Sequence, residues 1–180
     1  MRQRFCGPLL GPREAMKRVL LTGMSGSGES TLVAELTSRG FAAVDADSDE
    51  WSEWVETDGD PTGTNPGHDW YWREDRIRDL LASPDIDLLF VSGCAENMVK
   101  FYPQFDHIIL LSAPAPVILE RRANRANNPY GKRPEEVERV LIHIDTVEPA
   151  LRRVAHHEVD TSAPLDLVVS EILSIVSAGS

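Results

Sequence analysis

Cysteine is scarce in this chain: only two occur among 180 residues, Cys6 and Cys94, far apart and without CxxC spacing. That excludes a disulfide framework, gives no zinc-ligand pattern, and reads as two free thiols in a cytoplasmic setting. No apolar run approaches the roughly 20 residues that a membrane span requires, so no membrane partner is expected. Basic charge is also in short supply, with 18 Lys and Arg against 29 Asp and Glu and a formal net charge of −11. Such a balance argues against nucleic acid or anionic lipid as a partner, while leaving room for a small anion in one local pocket. Internal repeats and low-complexity segments are missing, and the five histidines show no metal-ligand spacing.

What is present is a globular composition, 42% hydrophobic and 26% charged, in a length that fits one domain. Residues 1–15 hold Gly7, Pro8, Gly11 and Pro12 without periodicity and read as a disordered extension, with Met16 the expected natural start and 16–180 the domain. From Arg18 onward short apolar runs alternate with helical stretches, the pattern of an α/β fold with a parallel sheet. Five strands are expected at Arg18–Thr22, Phe41–Asp45, Asp87–Ser92, His107–Ser112 and His157–Asp160. Helices are expected at Ser30–Arg39, Ser48–Val55, Asp69–Ala82, Ala115–Arg125 and Pro134–Val154. A last helix carries Leu165, Val168, Val169, Ile172, Leu173 and Val176 at helical spacing. Thr57–His68, rich in Gly, Pro and Asp, reads as a long loop between two helices.

Directly after the first strand stands Gly23-Met24-Ser25-Gly26-Ser27-Gly28-Glu29-Ser30-Thr31. Every defining position of the P-loop pattern GxxxxGK[ST] is matched except the lysine, which is Glu29. Glycines let successive N–H groups curl inward onto phosphate oxygens, the next helix aims its positive end at them, and Ser30 is placed to ligate Mg²⁺. A merely tight strand-to-helix connection is the competing reading. A carboxylate in place of the ammonium turns attraction into repulsion: for unit charges about 4 Å apart at an effective dielectric near 20, each is on the order of 4 kcal/mol before Mg²⁺ and relaxation reduce it. Phosphoryl transfer is therefore expected to be impaired unless a lid arginine pairs with Glu29.

With these residues in view, the chain from Met16 to about Val176 resembles the small P-loop kinases grouped with shikimate kinase, gluconate kinase and the nucleoside monophosphate kinases, and looks like a bacterial ATP-binding branch of that group. The resemblance implies a three-layer αβα fold, a five-stranded parallel sheet of order 2-3-1-4-5, a small lid, and ATP with Mg²⁺ as cofactors. It implies that Gly23, Ser25, Gly26, Ser27, Gly28, Ser30 and Thr31 hold the nucleotide phosphates. Asp45-Ala46-Asp47 looks like the DxD of shikimate kinase. Asp45 would then face the acceptor, and Asp47 would be the catalytic carboxylate and, with Ser30, the metal-side residue; helix-capping acids before Ser48 are the alternative.

Arg73 resembles the arginine that grips the acceptor's carboxylate in shikimate kinase, with Arg76 one turn on. An exposed helix salt-bridged to Glu74, Asp75 and Asp79 competes with that reading. Trp51, Trp54, Trp70 and Trp72 wall the pocket or belong to the core. Gly93, in Ser92-Gly93-Cys94, stands where shikimate kinases are glycine-rich, and Cys94 reads as a buried small residue rather than a nucleophile. Residues 121–133 carry five basic residues and no acidic one. By the same resemblance they form a lid, with Arg121 on the adenine side and Arg125 catalytic; an ordinary basic surface is the alternative.

Two functions follow: an ATP-dependent small-molecule kinase, or a nucleotide-binding or regulatory protein that has lost catalysis. Glu29, counted with the catalytic residues because it stands at the lysine position, favours the second. No NKxD motif supports a GTPase and no LSGGQ motif an ABC-type ATPase. Residues 45–60 hold eight acidic residues and no basic one, within an acceptor arm spanning 45–82. A polyol, sugar acid or nucleoside is thus preferred over a nucleoside monophosphate as acceptor. A monomer or homodimer is expected.

Overall fold

A computed structural model describes residues 16–58, 67–124 and 134–178. The first apolar run forms β1 (Lys17–Gly23): Val19 and Leu21 pack on one face of the sheet and Leu20 on the other, and all three are fully buried, as a central parallel strand requires. The chain continues through α1 (Glu29–Ser38), β2 (Ala42–Asp45), β3 (Ser52–Glu56), β4 (His68–Trp72), α2 (Glu74–Leu81) and β5 (Leu88–Ser92). A 3₁₀ segment over Glu96–Gln104 leads to β6 (His107–Ser112), α3 (Ala115–Asn124), α4 (Pro134–Thr146), α5 (Glu148–Val154), β7 (His157–Asp160) and α6 (Leu165–Ala178).

The main sheet has the order β2-β5-β1-β6-β7, with parallel pairing throughout. Counting its five strands alone, that is the order 2-3-1-4-5 implied by the resemblance. Leu32 and Leu36 of α1 and Val168, Val169, Ile172 and Val176 of α6 cover one face. Ile77, Leu81, Phe101 and Leu151 cover the other together with Trp72, which makes three αβα layers. Each such side chain removed from water contributes about 1.5–3 kcal/mol.

One expected helix is absent and a second is shortened. Ser48–Val55 is a turn followed by β3, and Asp69–Ala82 is β4 followed by a helix that starts only at Glu74. The two strands pair antiparallel, with Trp54 opposite Trp70 and Ser52 opposite Trp72, so Thr57–His68 links two strands rather than two helices. Trp54, Val55, Trp70, Tyr71 and Trp72 suit a pleated surface better than a helix, and the rings of Trp54 and Trp70 meet edge to face at 5.0 Å, a contact worth about 0.5–1.5 kcal/mol beyond its burial. A tertiary contact completes the choice. Buried Asn97 accepts a hydrogen bond from Trp72 N–H and donates one to Trp72 C=O, both at 2.9 Å, which satisfies the backbone of β4 as a further strand would.

The third correction concerns Pro134–Val154, which is not one helix but α4 and α5 joined at Val147. Pro149 explains the break, since it has no N–H to continue the helical ladder and its ring crowds the preceding turn. Residues 1–15, 59–66, 125–133 and 179–180 lie outside the described residues, and with them the expected extension, much of the expected long loop and most of the expected lid. Among the described residues no helix is long and apolar enough to cross a membrane.

Candidate active site

The glycine-rich segment leaves the carboxyl end of β1 and closes on α1, whose N-cap is Gly28. Ser27 N–H donates to Met24 C=O at 2.8 Å, which curls the loop. Two side chains of α3 hold it from outside. Arg121 donates to Ser27 C=O at 3.3 Å, to Thr161 Oγ1 at 3.0 Å and to Thr161 C=O at 2.5 Å, and Arg122 donates to Ser25 C=O at 2.9 Å. The Thr161 hydroxyl itself lies 2.5 Å from Ser27 C=O, tying the loop to the end of β7.

Two cavities flank Gly26, which lines both. One, about 570 Å³, is walled by Gly28, Thr31, Arg121, Asn124, Thr161 and Leu165. The other, about 430 Å³, is walled by Ser25, Glu29, Ser30, Asp45, Asp47 and Cys94 among others. Most of the sequence-nominated residues therefore fall on two adjoining walls: Gly28, Thr31 and Arg121 on the first cavity, and Gly23, Ser25 and Ser30 with the acidic Glu29, Asp45 and Asp47 on the second, the acidic cavity. Arg125 lies outside the described residues.

The acidic side is organised by β2. Ser30 Oγ donates to Asp45 Oδ2 at 3.1 Å, and Asp47 N–H donates to Asp45 Oδ1 at 3.1 Å. Because the chain after Asp47 does not enter a helix, neither acid is a helix cap. Half-buried Asp47 accepts from Cys94 N–H at 2.9 Å through Oδ2 and from Trp72 Nε1 at 3.1 Å through Oδ1. Burial raises its pKa, the Cys94 amide and the Trp72 indole oppose that, and the Asp45 charge adds to it. Gly93 makes room for this carboxylate: its φ is +155°, and a Cβ there would meet Asp47 Oδ1 at 2.7 Å and Trp72 Cζ2 at 3.0 Å. The Cys94 thiol is pushed up to about 12, first by burial and then by the charges of Glu29 and Asp47, so it is a protonated packing group near neutral pH.

Arg73 and Arg76 are brought to the hairpin and its preceding turn rather than to the walls of these cavities. Arg73 donates to Glu53 Oε2 at 2.7 Å and Arg76 to Glu50 C=O at 2.7 Å, which joins α2 to the acidic arm. Trp72 is a core residue, 1% exposed, whose indole N–H reaches Asp47, whereas Trp54 is 48% exposed on the hairpin's outer surface.

Three contributors escaped the sequence reading. Arg122 lies in the basic run 121–133 and Thr161 just after the last strand, and nothing local marks either as a partner of the loop, which they reach from distant segments. Ser92 is fully buried at the wall of the acidic cavity, and its hydroxyl finds no hydrogen-bond partner among the described residues, as is also true of Ser27 Oγ in the loop. An orphaned buried hydroxyl is costly unless something completes it.

The glycine cradle, Ser27, Arg121 and the larger cavity fit a phosphate chain and base, and the Ser30–Asp45 oxygen pair fits a hard cation. No group of three or more His, Cys, Asp or Glu among the described residues could hold a metal ion, so a cation here would depend on phosphate oxygens for further ligands, as Mg²⁺ commonly does. Glu29 stands in the loop itself, where a carboxylate opposes an anion; Asp45 and Asp47 share its cavity and Glu120 lines the larger one.

The comparisons agree with this architecture. A family model described as an AAA domain matches residues 19–143, while no curated protein shows significant similarity. Among solved structures, shikimate kinase from Acinetobacter baumannii in complex with shikimate is 18% identical with a TM-score of 0.60, over 92% of this chain and 96% of that one. A gluconokinase from Sinorhizobium meliloti is 20% identical with a TM-score of 0.55, over 91% and 92%. Shikimate kinase from Bacteroides thetaiotaomicron is 14% identical with a TM-score of 0.58, over 91% and 99%. The chain belongs to the AAA domain family and has the fold of the small P-loop kinases.

Proposed function

We propose that the chain binds ATP on its P-loop and transfers the γ-phosphoryl group to an acceptor hydroxyl, with Glu29 holding that activity down. The observation that carries this reading is the common cavity in which the loop, the Ser30–Asp45 pair and Asp47 meet. In the reaction the acceptor oxygen bonds to the γ-phosphorus as the bond to the departing ADP oxygen breaks, and Asp47 takes the hydroxyl proton. Trp72 and the Cys94 amide aim the Asp47 carboxylate, and its raised proton affinity suits that role. Ser92, with its unsatisfied hydroxyl in the same wall, is placed to orient the acceptor. Mg²⁺, when bound through Ser30 and Asp45, would neutralise phosphate charge.

The engagement of Arg73 by Glu53 and of Arg76 by Glu50 supports an acceptor without a phosphate of its own, such as a polyol, sugar acid or nucleoside. A second reading, a nucleotide-binding or regulatory protein without catalysis, is favoured by one observation: Glu29 lines the cavity beside Ser25 and Ser30. Residues 121–133 as a lid, a monomer or homodimer, and a cytoplasmic location complete the proposal. Titration of ATP and ADP with and without Mg²⁺, joined to an acceptor screen on Glu29→Lys, separates the readings. Phosphorylation confined to nucleoside monophosphates would sink the acceptor preference, and binding without turnover in that variant would favour the second reading.

A further inference from the structure

A P-loop whose lysine is a glutamate still needs positive charge if it is to hold phosphates. The described residues that hydrogen-bond the loop from outside include two neighbouring arginines at the end of α3, and they take alternate carbonyls: Arg122 that of Ser25 and Arg121 that of Ser27. A loop carbonyl held outward by a cation leaves the adjoining amides free to turn inward. Arg121 lines the larger cavity; Arg122 matches no motif.

We propose that Arg122 is the cation of this P-loop, a positioning residue that supplies, from behind the loop, the electrostatic part of the missing lysine's role. The inference rests on the nucleotide-binding reading above. Arg122 is only 3% exposed, and its guanidinium donates to both Ser25 C=O at 2.9 Å and Ser25 Oγ at 2.5 Å. Its stem passes under Gly26: a Cβ at that glycine would lie 3.2 Å from Arg122 Cγ and 3.0 Å from Ile118 Cγ2, and the glycine's φ is +105°. A side chain at position 26 would push this stem away, so the loop's central glycine and the arginine require each other.

A guanidinium is costly to remove from water, and an apolar side chain of similar length would fill the same space. Its retention against a phosphate-binding loop therefore points to its charge. Buried charge also acts over a longer range than exposed charge, because water screens it less.

The test is a double-mutant cycle read by calorimetric titration of ADP with Mg²⁺ into the full chain. Arg122→Gln and Arg122→Lys are each made in the parent and in the Glu29→Lys protein. In the parent, Arg122→Gln is expected to weaken ADP binding by roughly tenfold or more and Arg122→Lys by no more than about threefold; with lysine at 29, Arg122→Gln should cost less than about threefold. Equal losses for Gln and Lys, or equal losses in both backgrounds, would overturn the proposal and leave Arg122 a packing residue. Should Arg122→Gln fail to fold, Arg122→Lys decides: retained affinity supports the proposal and a loss of roughly tenfold overturns it. An absence of ADP binding by Glu29→Lys itself would overturn the nucleotide reading as well, whereas binding with equal losses overturns only the part given to Arg122.

Discussion

Gly93→Ala tests how tightly the Asp47 carboxylate is set. The new methyl would sit 2.7 Å from Asp47 Oδ1 and 3.0 Å from Trp72 Cζ2, at a φ of +155° that L side chains rarely adopt. Trp72 is 1% exposed and cannot give way, so Asp47 must withdraw from the Cys94 amide or the Trp72 indole. Losing one hydrogen bond to a charged group costs about 1.5–3 kcal/mol, and backbone strain adds about 1–3 kcal/mol. Lower unfolded-state entropy returns about 0.4–1 kcal/mol. The net is a destabilisation of about 3 kcal/mol, which for a domain of this size lowers Tm by about 6–12 °C. Thermal melting followed by circular dichroism, with tryptophan fluorescence reporting the Trp72 indole, measures it. A Tm within about 2 °C of the parent's and an unchanged emission would refute the close packing of Gly93, Asp47 and Trp72.

Two further outcomes follow from the charges. Glu29→Lys removes one of the two acidic influences on Cys94 and adds a positive one, so the thiol's pKa falls from about 12 and alkylation at mildly alkaline pH should quicken by at least about threefold. Peptide-resolved mass spectrometry separates Cys94 from Cys6, and an unchanged rate would contradict the placement of Glu29. Buried Asp69 has a raised pKa, first from burial and then from its hydrogen bond with Glu96. A carboxyl that binds its proton more tightly when folded contributes stability that is full below the ordinary Asp range and lost as pH rises through the elevated value. In Glu96→Gln an amide N–H replaces the shared proton, so urea-unfolding free energies from about pH 4 to about pH 7 should fall less steeply than in the parent; identical slopes would refute the pairing.

The parts of the fold carried by local pattern were legible: β1 with its glycine loop and α1, the five parallel strands, and α6 with its apolar stripe. The hairpin was not. Asp49 and Glu50 beside Ser48 look like a helix start, and Trp70-Tyr71-Trp72 runs directly into the helix-forming Glu74–Leu81 segment. What makes β4 a strand is pairing with β3 and with the Asn97 side chain, 25 residues from Trp72, and a sequence window cannot see either. For the same reason the motif located Glu29, Ser30 and the DxD acids, while Thr161 and Arg122 stayed hidden, since they reach Ser27 and Ser25 from 134 and 97 positions away. Pro149 is visible in the sequence, and it divides α4 from α5 even though an amphipathic pattern runs across both.

Whether Glu29 alone restrains a phosphoryl-transfer site that is otherwise complete is measured most directly by ATP turnover over a panel of acceptors, for the chain with Glu29 and for Glu29→Lys. The swap reverses a unit charge at the lip of the acidic cavity. Even half of an interaction of about 4 kcal/mol exceeds the 1.4 kcal/mol that corresponds to a tenfold change in rate. Turnover in Glu29→Lys should therefore rise by at least roughly tenfold, and equal turnover in the two proteins would contradict the role given to Glu29.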